Sequence, residues 1–278
     1  MSWTSSPGRR PTRPTPCARP PVWPRQRLSP SDNSLRQVYE EQYSAEGDDA
    51  LRYGAWRELC AAGKADHVVE LIRALPRPPA TVVEVGCGDG VLLTQLARRG
   101  VGERRDGFDI SERAAASAST RPEVDSARRF DGHTLPVPDA SYDLGILSHV
   151  LEHVPDPLPL LSETARACRA VIVEVPLEDN LSASRASAQA GRDAIGHLHR
   201  FSRSDVGQLA ESAGLRVAAD LADPLPLAVH SFFATTPTAR AKATLKASAR
   251  RALFTVAPSL AEGAFTLHYA ALCLPRRF

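Results

Sequence analysis

Seven consecutive residues, Glu84-Val85-Gly86-Cys87-Gly88-Asp89-Gly90, put three glycines at alternate positions directly after an acid. Glycine at every second position lets the main chain take positive-φ turns and lets a ligand approach bare peptide groups. If a helix begins where the glycines end, its unpaired N–H groups favour a nucleotide-type ligand. Asp109 stands nineteen residues beyond Gly90. At that interval the next strand of a parallel α/β unit presents a carboxylate to vicinal ribose hydroxyls, and an ionised carboxylate can accept from both. Farther on come His149, His153, His197 and His199, with an unperturbed pKa of about 6.5 that suits imidazole to take a proton near neutral pH.

These residues need elements to hold them. Thr81 to Val85 reads as a short parallel strand buried on both faces. Leu92, Leu93, Leu96 and Ala97 recur at helical spacing, which predicts a helix over 91–99. Gly107–Ser111 reads as a second strand ending near Asp109, and the β-branched run Val171–Pro176 as a fifth. Ser202 is a natural cap for a helix over 204–213, with Gly214 closing it. Residues 215–221 and 265–274 read as the last two strands. Between these elements, 177–195 is Ala- and Ser-rich without clear periodicity and reads as a substrate loop carrying Glu178, Asp179 and Asn180.

The spacing Glu84-x-Gly86-x-Gly88-x-Gly90 resembles motif I of class I S-adenosylmethionine-dependent methyltransferases rather than the G-x-G-x-x-G of dinucleotide dehydrogenases. Asp131 through Leu135-Pro136, Asp139 and Asp143 resembles the passage in which that family places its adenine-contacting acid. Leu151-Glu152-His153-Val154-Pro155-Asp156-Pro157 is similar to the L-E-H-V-x-D-P signature of its small-molecule (methyltransferase type 11-like) members. Gly196-His197 through Phe201-Ser202 resembles the G-H-x-x-x-F-S that opens the following helix. The resemblance runs over about 35–275.

It implies a Rossmann-like, doubly wound α/β fold: a seven-stranded, mostly parallel sheet with a C-terminal antiparallel hairpin. It implies S-adenosylmethionine as cofactor and S-adenosylhomocysteine as product. The donor site it implies comprises Glu84, Gly86, Cys87, Gly88, Gly90, Asp109, Ile110, Asp131, Gly132 and Ser148, with Asp131 at the adenine amino group. Ser148 and His149 would face the transferable methyl, and His149, His197 and His199 are the catalytic candidates. His149 and His153, four apart, would share a face if the segment were helical. Some members use a divalent ion, and His197, His199 and Asp179 could hold one, but the signature here is of the metal-independent kind, so no metal is expected. N-terminal helices cover the cofactor in many members, which gives Tyr39, Tyr43, Tyr53 and Trp56 either a lid or a packing role within 31–78.

Composition sets the outer bounds. A chain of 278 residues with 43% hydrophobic content can bury a substantial core. No apolar run approaches a membrane span and no secretory leader is evident, so a cytoplasmic protein is expected. Cys17, Cys60, Cys87, Cys168 and Cys273 are scattered and read as reduced thiols. Residues 1–30 hold eight prolines, six arginines and no acid, a composition expected to be disordered. The remaining residues carry 28 basic against 32 acidic side chains, so the basic balance belongs to the tail. The methyltransferase domain is expected over 31–278, with a helical insertion at 222–262 in which Lys242, Lys246 and Arg250 recur every four residues.

No Asn-Pro-Pro-Tyr follows the fourth strand, and the one Pro-Cys pair, Pro16-Cys17, lies in the tail. Base methylation is therefore unsupported, nucleic acid is an improbable partner, and a small molecule methylated on O or N, such as a biosynthetic intermediate, is the expected acceptor. An RNA methyltransferase using the basic tail and a non-catalytic S-adenosylmethionine-binding protein are the alternatives.

Overall fold

The structure, a computed structural model, describes Arg36, Tyr39, Glu40, Tyr43 and residues 48–276. The expected tail at 1–30 lies outside the described residues.

Parallel strands buried on both faces must be covered by helices on both sides, and the chain alternates accordingly. Helix α1 (Asp48–Leu71) precedes β1 (Thr81–Val85), α2 (Val91–Arg98), β2 (Arg104–Asp109), α3 (Glu112–Ser119), β3 (Ser126–Arg129) and β4 (Leu144–Ser148). Then follow α4 (Pro157–Ala167), β5 (Val171–Leu177), α5 (Ala186–Ile195), α6 (Arg203–Ser212) and β6 (Leu215–Asp223). Three helices, α7 (Leu227–Ser231), α8 (Pro237–Val256) and α9 (Pro258–Ala264), lead to β7 (Leu267–Pro275). The strands form one seven-stranded sheet in the order β3-β2-β1-β4-β5-β7-β6. β1 to β5 are parallel, and β7 is antiparallel to both β5 and β6.

Each face of the sheet buries its own cluster. Ala61, Ala65 and Val68 of α1 pack with Leu92, Leu93 and Leu96 of α2 on one side. Leu160 and Leu161 of α4 pack with Val206 and Leu209 of α6 on the other. A second stripe of α1, Cys60, Lys64 and His67, is offset by one residue from the packed stripe, and it looks onto the carboxyl edge of the sheet. The register of β7 sets His268 opposite Pro176 of β5 on one side and Asp223 of β6 on the other, at the same edge.

Three local expectations are corrected. The second strand begins at Arg104, three residues before Gly107. The stretch read as a loop over 177–195 ends β5 and then forms α5. Its alanines favour helix without an apolar stripe, and the buried Arg192 holds it by donating to the Ala183 carbonyl at 2.6 Å. His149 and His153 share no helix, because the chain turns at His149 with φ of 57° and begins α4 only at Pro157.

Candidate active site

The turn between β1 and α2 is bare main chain. Gly86, Gly88 and Gly90 have φ of 80°, 54° and 76°, a region L side chains avoid. A Cβ on Gly86 would run into Val150, and one on Gly88 into the Tyr43 hydroxyl. The N–H groups of Gly86 and Cys87 both donate to the Phe108 carbonyl, at 2.7 and 3.0 Å, which seats the turn on the end of β2. Asp109 completes the grip: Oδ2 accepts from Gly88 N at 2.8 Å and Oδ1 from Ser111 N at 2.9 Å. Burial raises the pKa of Asp109 despite those bonds. Two further acids converge here. Glu84 is buried and its Oε2 has no hydrogen-bond partner among the described residues, nor has Asp89 Oδ1. Asp89 Oδ2 pairs with Arg57 at 2.8 Å, and Arg57 lies under the rings of Tyr43 and Tyr53 at 5.1 and 5.2 Å. The N-terminal aromatics therefore latch α1 over the turn.

Ile110, just past β2, and Gly132, just past β3, stand beside each other. Gly132 takes φ of 89°, and a Cβ there would stand 3.4 Å from Ile110. Asp131 is exposed and closes an Asx turn, Oδ1 accepting from His133 N at 2.8 Å and Thr134 N at 2.7 Å.

Histidines and carboxylates form a belt across the ends of β4, β5 and β7. Ser148 Oγ donates to Glu174 Oε2 at 2.6 Å, and His67 Nδ1 donates to Glu174 Oε1 at 2.8 Å. His67 Nε2 is 3.8 Å from Asp223. Burial pulls His67 down, but Asp223 and Glu174 outweigh it and lift the imidazole to about 9. Burial likewise works to raise Glu174 and is outweighed by His67, His149 and Lys64, so the carboxylate stays ionised.

His149 donates its main-chain N–H to the Glu174 carbonyl at 2.8 Å. Its ring stands 4.6 Å from that of His268, and its Nδ1 is 3.0 Å from Glu152. Burial and the nearby Lys64 hold His149 at about 3. On the far side of Glu152, His153 is held at about 4, chiefly by burial, with its ring centroid 4.8 Å from that of His197. His197 Nδ1 pairs with Glu178 Oε2 at 2.8 Å.

Glu84, Gly86, Cys87, Gly88, Gly90 and Asp109 thus gather at the β1–α2 turn, Ile110 stands beside Gly132, which follows Asp131, and Ser148, His149 and His197 belong to the belt of histidines and carboxylates. His199 stands apart, with Nε2 at 2.8 Å from the Val154 carbonyl, where it braces the turn after β4. The set His197, His199 and Asp179 does not assemble as a metal site, since Asp179 is exposed and paired with Arg200 at 3.5 Å. Lys64, His67, Glu152, Glu174 and His268 stand in or beside this belt and are absent from the sequence candidates, whereas Glu178 belongs to the expected substrate loop. One signal was available, because a carboxylate inside the apolar run Val171-Ile172-Val173-Glu174-Val175 must find partners to be buried.

Residues 55–219 match the model of the methyltransferase domain family. The chain belongs to this family. Its sheet order, with the antiparallel β7 between β5 and β6, is the class I methyltransferase fold. An uncharacterised methyltransferase of Mycobacterium sp. (strain JLS) is 35% identical over 139 residues, 49% of this chain and 52% of that protein. The ubiquinone biosynthesis O-methyltransferase of Nitrosomonas europaea is 30% identical over 109 residues, 37% of this chain and 44% of that protein. The chain spans about half the length of the curated relatives it matches. Geranyl diphosphate C-methyltransferase from Streptomyces coelicolor A3(2) superposes with a TM-score of 0.57 over 77% of both chains, at 17% identity, and shares the fold.

Proposed function

We propose that this methyltransferase moves the methyl group of S-adenosylmethionine to an oxygen or nitrogen of a small-molecule acceptor, with His197 taking the proton the acceptor must lose. The observation that carries the base assignment is the pairing of His197 Nδ1 with Glu178 at 2.8 Å. A carboxylate on Nδ1 fixes the tautomer and turns Nε2 outward as the proton acceptor.

The glycine turn and Asp109 fit the donor, because the turn offers a main-chain cradle that a Cβ would fill and two acids beside it keep unpartnered buried oxygens. Asp109 keeps lone pairs for ribose hydroxyls, Glu84 and Asp89 face the aminopropyl side, and Ile110, Asp131 and Gly132 border the base. Once bound there, the sulfonium supplies an electrophilic methyl. Displacement in line needs little covalent help, so positioning supplies most of the rate.

His199, spent on Val154, is assigned a bracing role. His149, with Nδ1 facing Glu152, is assigned to the methyl end of the donor site together with Ser148. The relative that acts in ubiquinone biosynthesis and the geranyl diphosphate C-methyltransferase of the same fold support a small-molecule acceptor for this chain.

The test is S-adenosylhomocysteine release over a panel of phenolic, amine and isoprenoid acceptors. His197→Ala is expected to lower kcat by a factor of about 10²–10⁴, the usual contribution of a general base, while calorimetry finds S-adenosylhomocysteine affinity unchanged. Wild-type turnover in His197→Ala would overturn the base assignment.

A further inference from the structure

The belt holds more imidazole and carboxylate than one proton transfer needs, and its inner half has the makings of a second kind of site. His149 at the end of β4, Glu174 in β5 and His268 in β7 bring their donor atoms within 4.8 Å of one another. They come from three different strands, so their meeting is fixed by the sheet and not by spacing along one helix. We propose that His149, Glu174 and His268 bind a divalent transition-metal ion, with two imidazoles and one carboxylate as ligands.

The donor chemistry supports this. Two nitrogens and one oxygen suit zinc and its first-row neighbours, and three protein ligands leave a position for water or an acceptor oxygen. Ligand residues need outer partners that orient them, and Glu174 has them. Glu152 Oε1 stands 3.0 Å from His149 Nδ1, a charge contact without hydrogen-bond geometry. His149 Nε2 is buried without a hydrogen-bond partner among the described residues. Glu174 is fixed on both oxygens, by Ser148 at 2.6 Å and His67 at 2.8 Å.

Of the three ligands, His268 lines a cavity of about 20 Å³ that it shares with His67, Lys64 and Asp223, enough for a single water-sized group. Metal–nitrogen bonds of about 2.0–2.1 Å place tetrahedral donors roughly 3.4 Å apart, so binding draws the donors closer than their present spread. One feature opposes binding. The Lys64 ammonium bears on His149, Glu174 and His268, and its charge repels a cation. Glu152, His153 and His197 form a second group of the same kind. There Nδ1 of His153 faces the Gly196 carbonyl and Nδ1 of His197 faces Glu178, and neither oxygen of Glu152 has a hydrogen bond to orient it.

The experiment strips the full chain with a chelator and titrates Co²⁺, read by calorimetry and by visible d–d absorption. One equivalent is expected to bind with the bands of a nitrogen/oxygen site. His268→Ala and Glu174→Gln are each expected to weaken binding by at least about a hundredfold. Lys64→Gln is expected to tighten it, on the order of tenfold. His197→Ala is expected to bind as wild type. Absence of Co²⁺ uptake, unchanged uptake in His268→Ala, or loss confined to His197→Ala would each overturn the proposal. If Glu174→Gln does not fold, as judged by circular dichroism, His268→Ala decides. S-adenosylhomocysteine affinity of the metal-free protein, measured in parallel, keeps this outcome separate from the methyltransferase reading.

Discussion

A carboxylate that ties down a turn and is proposed to hold a ligand as well stands to lose both functions when it is truncated. Asp109 accepts from Gly88 and Ser111 through separate oxygens, and Asp109→Ala is expected to cost about 1.5–3 kcal/mol of S-adenosylhomocysteine affinity, measured by calorimetry. Glu178→Gln should reproduce part of the kcat loss of His197→Ala at unchanged cofactor affinity, because the amide still contacts Nδ1 but no longer stabilises the imidazolium; steady-state rates against calorimetry separate the two. Asp109 was legible in the sequence because its distance from the glycines is set by one strand–helix unit, a local quantity. Glu174 and His67 were not legible as partners, because 107 residues separate them and only the docking of α1 on the sheet joins them. His268 is hidden for the same reason: its place depends on which strands β7 enters, and nothing local to the Leu267–Pro275 sequence specifies that.

Elements depend on a few positions where main chain comes close to something else. Gly86 has φ of 80° and faces Val150 across the turn, so Gly86→Ala should destabilise the fold by about 1–3 kcal/mol, read from urea denaturation, and should weaken cofactor binding. Asp143 binds the start of β1 through Ala80 N, Thr81 N and Thr81 Oγ1 at 3.0, 3.1 and 3.2 Å. Burial raises its pKa but these bonds outweigh it, so the folded-state value lies below the ordinary one. The stabilisation is therefore complete above the unfolded pKa of about 4 and is lost as pH falls through the lower folded value. Asp143→Asn should be less stable than wild type at neutral pH, and the gap should close in acid, as urea titrations at both pH values would show. The strands and α2 were readable because buried parallel strands and amphipathic helices leave distinct periods. Helix α5 was not, since an alanine-rich helix held by one buried arginine has no stripe to read. The turn at His149 was hidden by a motif whose histidines happen to be four apart.

For the molecule as a whole, the charge is divided along the chain. Deleting residues 1–30 changes the net charge from +2 to −4, and it is expected to leave S-adenosylhomocysteine affinity unchanged; a calorimetric loss would show that this segment reaches the site. Among the described residues no helix is long and apolar enough to cross a membrane. The fold class was legible because the glycine turn, the spacing to Asp109 and the later strands agree with one another, whereas the proposed acceptor end is assembled from α1, β5 and β7, which meet only in the finished sheet. That assembly also bears on the order of synthesis. The strand β7 leaves the ribosome after every other strand, yet it lies between β5 and β6. Until it arrives, β5 is an open edge, the template on which nascent chains pair with one another, and β6 has no neighbour. The last strand made therefore closes the sheet and delivers His268 to the site, so a ribosome stalled short of Leu267 would carry a chain with neither.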